Sequence, residues 1–113
     1  VSVAAVNFKV TGSLAVRGPG AEGPEVLTAA PTFRWADDSS EDHYELRVFD
    51  ALGNVVWEKL DVASPSGNRD LEVAYGGPAL TPGMVYQFRA VSIKDGTPIS
   101  RTEDLRGVFS LAE

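Results

Sequence analysis

The sequence contains no cysteine. A disulfide framework and a thiolate-bound zinc site are therefore both excluded. The compartment stays open, because exported modules also lack cysteine. There is one histidine, His43. A single imidazole without thiols does not make a usual zinc site. A hydrolytic triad would need a nucleophile elbow, which is absent, and Ser64, Ser66 and Ser100 have no evident base. No apolar run approaches the ~20 residues of a membrane span. Clustered lysine and arginine are also missing. The formal net charge is −6, which argues against nucleic acid or an anionic membrane as partner. No segment shows a convincing 3.6-residue apolar period, so helices are not expected. The chain opens on Val1 without the charged and apolar regions of a secretory leader. It reads as a processed chain or a segment of a longer protein.

What is present is short apolar alternation punctuated by turns. The 113 residues correspond to one domain, long enough to bury a core without staples. Hydrophobic residues make up 43% and charged residues 23%, an ordinary globular balance. Valine is the most frequent apolar residue, and its branched Cβ favours strands.

The chain is organised around Leu80 to Ala90. A Pro82-Gly83 turn feeds a strand in which Tyr86, Phe88 and Ala90 alternate with Val85, Gln87 and Arg89. Residues 1–18 form an additional N-terminal strand region, with Val6, Phe8, Val10, Leu14 and Val16 on one parity and a hinge at Gly12-Ser13. Residues 19–25 are a glycine- and proline-rich loop, and 26–113 form the core of the domain. Strands are expected at Val26 to Thr28, Pro31 to Trp35, Tyr44 to Val48, Val55 to Glu58 and Leu71 to Tyr75. Asp50 to Asn54 is a hairpin loop, and Asp61 to Asp70 is a longer loop. Lys94 to Thr97 turns into a last strand, Ile99 to Leu111, whose middle breaks alternation and bulges. Seven or eight short strands at this spacing predict a single antiparallel β-sandwich.

The order of signals from Pro31 to Leu111 resembles the fibronectin type III family. The matching residues are Phe33-x-Trp35, Tyr44-x-Leu46-x-Val48 and Leu80-x-Pro82-x-x-x-Tyr86-x-Phe88-x-Ala90. The closing run from Asp95 to Phe109 looks like that of fibronectin-like modules in exported Gram-negative proteins. The resemblance implies an all-β, Greek-key sandwich of about seven strands in a secreted, periplasmic, cell-surface or lipoprotein context. It implies a core role for Trp35, with Phe33 and Phe88 beside it. It also implies a corner at Tyr86, whose hydroxyl would bond upstream backbone. The N-terminal eighteen residues have no counterpart in a minimal domain of that family, and Gly76-Gly77-Pro78 leaves the register of the fifth strand open.

Three candidate sites stand out. Asp37, Asp38, Glu41 and Asp42 crowd one loop and offer hard oxygen ligands for calcium, against the alternative of a solvated acidic turn. Trp57, with Tyr75 or Phe49, would make an aromatic platform for a polysaccharide, against the alternative of edge packing. Arg47, Arg89 and Arg101 line one outward sheet face, as partners of Glu45 or Glu103 or as a contact for a neighbouring domain. Glu45, Glu58 and Glu72 point outward on separate strands, which does not suit a general acid–base pair. The leading expectation is a non-catalytic spacer or protein-interaction module that contacts neighbouring domains or another protein. The alternative is a carbohydrate-binding accessory domain. Calcium is the one cofactor considered, and neither nucleic acid nor membrane insertion is expected.

Overall fold

The computed structural model describes residues 12–37, 41–63, 70–102 and 106–112. Those residues are all-β, with no helix among them. The strands are β1 (Gly12–Leu14), β2 (Val16–Gly18), β3 (Glu25–Leu27), β4 (Thr32–Trp35) and β5 (His43–Asp50). They continue with β6 (Val55–Ala63), β7 (Leu71–Ala74), β8 (Val85–Lys94), β9 (Thr97–Thr102) and β10 (Val108–Leu111). A larger sheet runs β6–β5–β8, and β9 and β10 both pair with β8. β1 joins β9 and β3 joins β10, each in parallel. A three-stranded antiparallel sheet has the order β2–β4–β7. Buried residues from both sheets form one core cluster, an arrangement consistent with a β-sandwich.

Alternation places the core as expected. Phe33 and Trp35 of β4, Tyr44, Leu46 and Val48 of β5, Leu71 and Val73 of β7, and Tyr86, Phe88 and Ala90 of β8 are all buried. Phe33 lies 4.8 Å from Phe88 and 5.8 Å from Phe109, ring centre to ring centre, so aromatic packing bridges the two sheets. Tyr86 keeps its hydroxyl satisfied by accepting the Thr81 backbone N–H at 2.8 Å, which ties the Pro82-Gly83 turn to β8.

Several boundaries differ from the sequence reading, and four of the differences have a clear structural cause. β6 continues to Ala63, where a loop was expected from Asp61. Glu58 to Asp61 are exposed and carry no inward alternation, but backbone pairing with β5 holds them in the sheet. Ladder bonds, not side-chain burial, define this strand. The last strand is two strands, β9 and β10, on the same side of β8. Gly107 re-enters at φ 79°, its N–H bonds to Gly20 O at 3.0 Å, and its carbonyl accepts Phe88 N–H at 3.1 Å. A side chain there would strike Phe88 O at 2.7 Å, so glycine is required. β3 begins at Glu25, one residue into the expected loop, because the parallel ladder with β10 starts there. The N-terminal break falls at Ala15, between β1 and β2, and not at Gly12-Ser13, since the two strands join different sheets. Expectations for residues 1–11 lie outside the described residues.

Candidate functional site

The aromatic candidates come from β6 and from the residue after β7. Trp57 stands opposite Val48 and so faces inward, half-buried. Its ring centre is 5.1 Å from that of Tyr75, edge to face, and 6.4 Å from Phe33. Tyr75 donates its hydroxyl to Pro78 O. Burial pushes the Tyr75 phenol above its ordinary pKa, with Tyr86 adding to the shift. The Gly76-Gly77 segment lies against both rings: a Cβ on Gly77 would sit 2.7 Å from Tyr75 Oη and 2.8 Å from Trp57 Cδ1. The structure thus brings Trp57 and Tyr75 together and separates them from Phe49. Phe49 follows inward Val48 on β5, so alternation puts it on the other face of the sheet, opposite Gln87, and a bulge at Val56 sets Val55 opposite it on β6.

The acidic candidates disperse. Asp37 accepts the hydroxyl of buried Tyr44 at 2.7 Å. Asp42 accepts Asp95 N–H at 2.8 Å and lies 3.7 Å from Lys94 Nζ, so it braces the β8–β9 turn. The Asp95 bond, with help from Lys94, holds the Asp42 carboxyl below the ordinary aspartate range. Glu41 is half-buried, and Asp38 lies outside the described residues. Among the described residues no three His, Asp or Glu side chains gather as a metal site. Asp50 and Asn54 sit at the far end of β5 and serve their own hairpin. Asp50 Oδ1 accepts the N–H of Asn54 and of Leu52, each at 2.9 Å, and these bonds lower its pKa.

The arginine face is formed by register. Arg47 stands opposite Arg89, and Arg101 opposite Val91. Arg47 binds Glu58 at 3.1 Å through Nε and Glu45 at 3.3 Å through Nη1. Glu103 lies outside the described residues, as do Ser64 and Ser66. Glu72 is on the smaller sheet, 3.3 Å from Arg34. His43 opens β5 opposite Ala63 and Ile93, and Ser100 is buried opposite Ser92.

No family model, curated protein or solved structure matches the chain.

The sequence reading missed the rest of that outer face. Val55 is opposite Phe49, Phe49 opposite Gln87 and Gln87 opposite Val108. Val85 is opposite Ser110, which is opposite Val26. Apolar residues from β6, β5, β8, β10 and β3 therefore share this face, interrupted by Gln87 and Ser110, over roughly 19 Å at ~4.8 Å per strand step. Val26 is 68% exposed, Val55 49% and Val85 47%, with Leu52 and Met84 exposed at its end. The signal was faint: apolar residues at outward positions of β5 and β8, where alternation predicts polar ones.

Proposed function

We propose that the domain is a non-catalytic protein-interaction module and that its partner is a folded protein surface with an apolar centre. The carrying observation is that exposed Val26, Val55 and Val85 share one sheet face with half-buried Phe49 and Val108. An open sheet face suits a protein surface, whereas small molecules favour concave sites. The Glu45–Arg47–Glu58 ion pairs flank these residues as a polar rim would flank an interface core. The fibronectin type III-like, Greek-key reading draws support from buried Trp35 and from the Tyr86–Thr81 bond, which has the form of a tyrosine corner. Such modules suit a secreted or cell-envelope parent protein.

The test is a photo-crosslinking amino acid placed in the parent protein at Val26, Val55 or Val85, with Glu72 as control. Crosslinks to one partner from the three valine positions, and none from Glu72, are expected. Equal yield at all four positions would remove the interaction reading. The Trp57–Tyr75 contact supports a second reading, a carbohydrate-binding accessory domain. A melt with soluble polysaccharides, with calcium and with EDTA separates the two. A ligand at ~100 times its Kd adds ~2.7 kcal/mol to stability. A polysaccharide-dependent rise that Trp57→Ala abolishes would favour the second reading.

A further inference from the structure

Charge is unevenly placed along the strands. Residues 26–33, 73–88 and 107–112 contain no charged side chain, and 49–57 contain only Asp50, in a chain that is 23% charged. These four segments meet at one end of the sandwich. Ser110 stands opposite both Val85 and Val26. Gly83 N–H bonds to Leu111 O, Ala112 N–H to Leu27 O and Tyr75 N–H to Pro31 O. Phe49 pairs with Val55 and Asp50 with Tyr86, so the β5–β6 turn lies at the same end. Asp42, Lys94 and Asp95 cluster at the opposite end. The eight residues of β5 separate the two ends by roughly 24 Å at ~3.4 Å per residue.

The uncharged end is not level. Leu52 is 87% exposed at the tip of the β5–β6 turn. Asp50 braces that turn: its Oδ1 accepts the N–H of Leu52 and of Asn54, and its carbonyl accepts Gly53 N–H at 3.1 Å. The turn therefore has little conformational freedom left to lose on binding. On the other side of β8, the β3–β4 connection presents the small exposed residues Thr28, Ala29 and Ala30. An open groove of about 420 Å³ borders this connection, with room for a leucine side chain. The connection lines it with Ala29, Ala30 and Pro31, and the strands add Arg17, Glu25 and Arg34. In the larger sheet β8 has β5 and β6 on one side and β10 and β3 on the other. The β5–β6 turn is thus roughly 7 Å from β8 and β3 roughly 10 Å, at ~4.8 Å per strand step.

We propose that this uncharged end is where two copies of the chain meet, related by a two-fold axis through β8 and perpendicular to the larger sheet. Such an axis lays Leu52 of each copy against Ala29 and Ala30 of the other. The projecting residue and the small ones are nearly equidistant from β8, so both contacts form at once, the reciprocal pairing of an isologous interface. Charge placement favours a second copy over other occupants. A basic partner would be drawn by acids at the contact, and an anionic membrane by cations; these segments hold one acid and no cation. Two acidic chains that meet here keep the charges of their far ends well beyond the ~8 Å screening length. Charges nearer the contact are held in pairs, Arg47 with Glu45 and Glu58, and Arg34 with Glu72. The inference rests on the protein-interaction reading and names its partner, with Val26, Val55 and Val85 beside the contact.

The experiment is sedimentation equilibrium of the protein from about 10 µM to about 1 mM, which reveals dissociation constants up to about millimolar. The mean mass should rise from 12.0 kDa toward twice that value. Leu52→Glu and Ala30→Lys should each weaken association about ten-fold or more. Leu60→Glu, at an exposed position in the middle of β6, should leave it unchanged. Mixing Leu52→Glu with Ala30→Lys should restore association, because a mixed dimer holds one wild-type contact and one acid–lysine pair. Circular dichroism of each variant establishes that it remains folded. A monomer at every concentration, an equal loss in Leu60→Glu, or a mixture no tighter than either variant alone would overturn the proposal. So would binding to phosphatidylcholine vesicles by a protein that stays monomeric. A monomer that crosslinks from Val26, Val55 and Val85 to a different protein would overturn this inference and leave the interaction reading standing.

Discussion

The Tyr86 hydroxyl accepts one backbone N–H across the turn that starts β8. Removing it with Tyr86→Phe leaves the ring packed on Phe109, 5.8 Å away, and deprives Thr81 N–H of its acceptor. The expected loss is about 1 kcal/mol in urea unfolding, the usual net value of such a bond. An unchanged midpoint would mean that water replaces the hydroxyl without cost. Two glycines separate conformational strain from crowding. Gly53 and Gly107 have similar φ, 85° and 79°, but a Cβ on Gly53 meets open space while one on Gly107 meets Phe88 O at 2.7 Å. Gly53→Ala should cost about 1 kcal/mol, and Gly107→Ala clearly more. Equal losses would show that backbone conformation alone matters at Gly107. Asp42 and Asp50 both have pKa values lowered by backbone N–H bonds. A lowered carboxylate pKa stabilises the fold above the unfolded value of ~3.9, and that stability is lost as pH falls through the folded value. Acid unfolding of Asp42→Asn and Asp50→Asn should therefore show a shallower loss below about pH 4. An unaltered acid limb would refute the assignment.

At the scale of elements, β8 is the strand on which the larger sheet depends. It pairs with β5 along one side and with β9 and β10 along the other. Phe88 at its centre is fully buried against Phe33. Phe88→Ala should cost about 3–5 kcal/mol, the range for an aromatic deleted from a packed core. β6 is different: among the described residues it pairs only with β5, through a ladder irregular at Val56 and again between Lys59 and Val62. Bulges and a lysine are devices that keep an exposed edge from recruiting another strand. Hydrogen exchange should rank β5 and β8 amides slowest and β6 amides faster. β6 amides as slow as those of β8 would point to a partner on that edge. The contrast also explains what was legible. β4, β5, β7 and the start of β8 were readable because each alternates between buried and exposed residues. The second half of β6 was not, because its strand character comes from backbone pairing with β5. The division of the last strand was half-readable: the break in alternation was visible, but not the Gly20–Gly107 contact that re-seats the chain.

For the whole molecule, the net charge of −6 sets a weak self-repulsion that salt screens. The surface pairs Arg17–Asp70, Arg34–Glu72 and Lys94–Asp42 are half-exposed and each contributes little. Added salt should therefore raise the thermal midpoint slightly, and a fall would mean that the ion pairs outweigh the repulsion. The candidate sites show the same division between local and global information. By itself the sequence determined that the fold is all-β, where the core faces lie and that Trp35, Phe33, Tyr86 and Phe88 are interior. Burial on one side of a strand imposes a period of two, and that record is local. Only the tertiary structure decided that Trp57 meets Tyr75, since Trp57 lies on the larger sheet and Tyr75 follows β7 of the smaller one. It alone decided that Asp37 and Asp42 serve different partners, that Val26 shares a sheet face with Val55, and that Arg17 and Arg34 share a groove. Those residues become neighbours through strand order and register, which join positions far apart in the chain and leave no pattern in the residues between them.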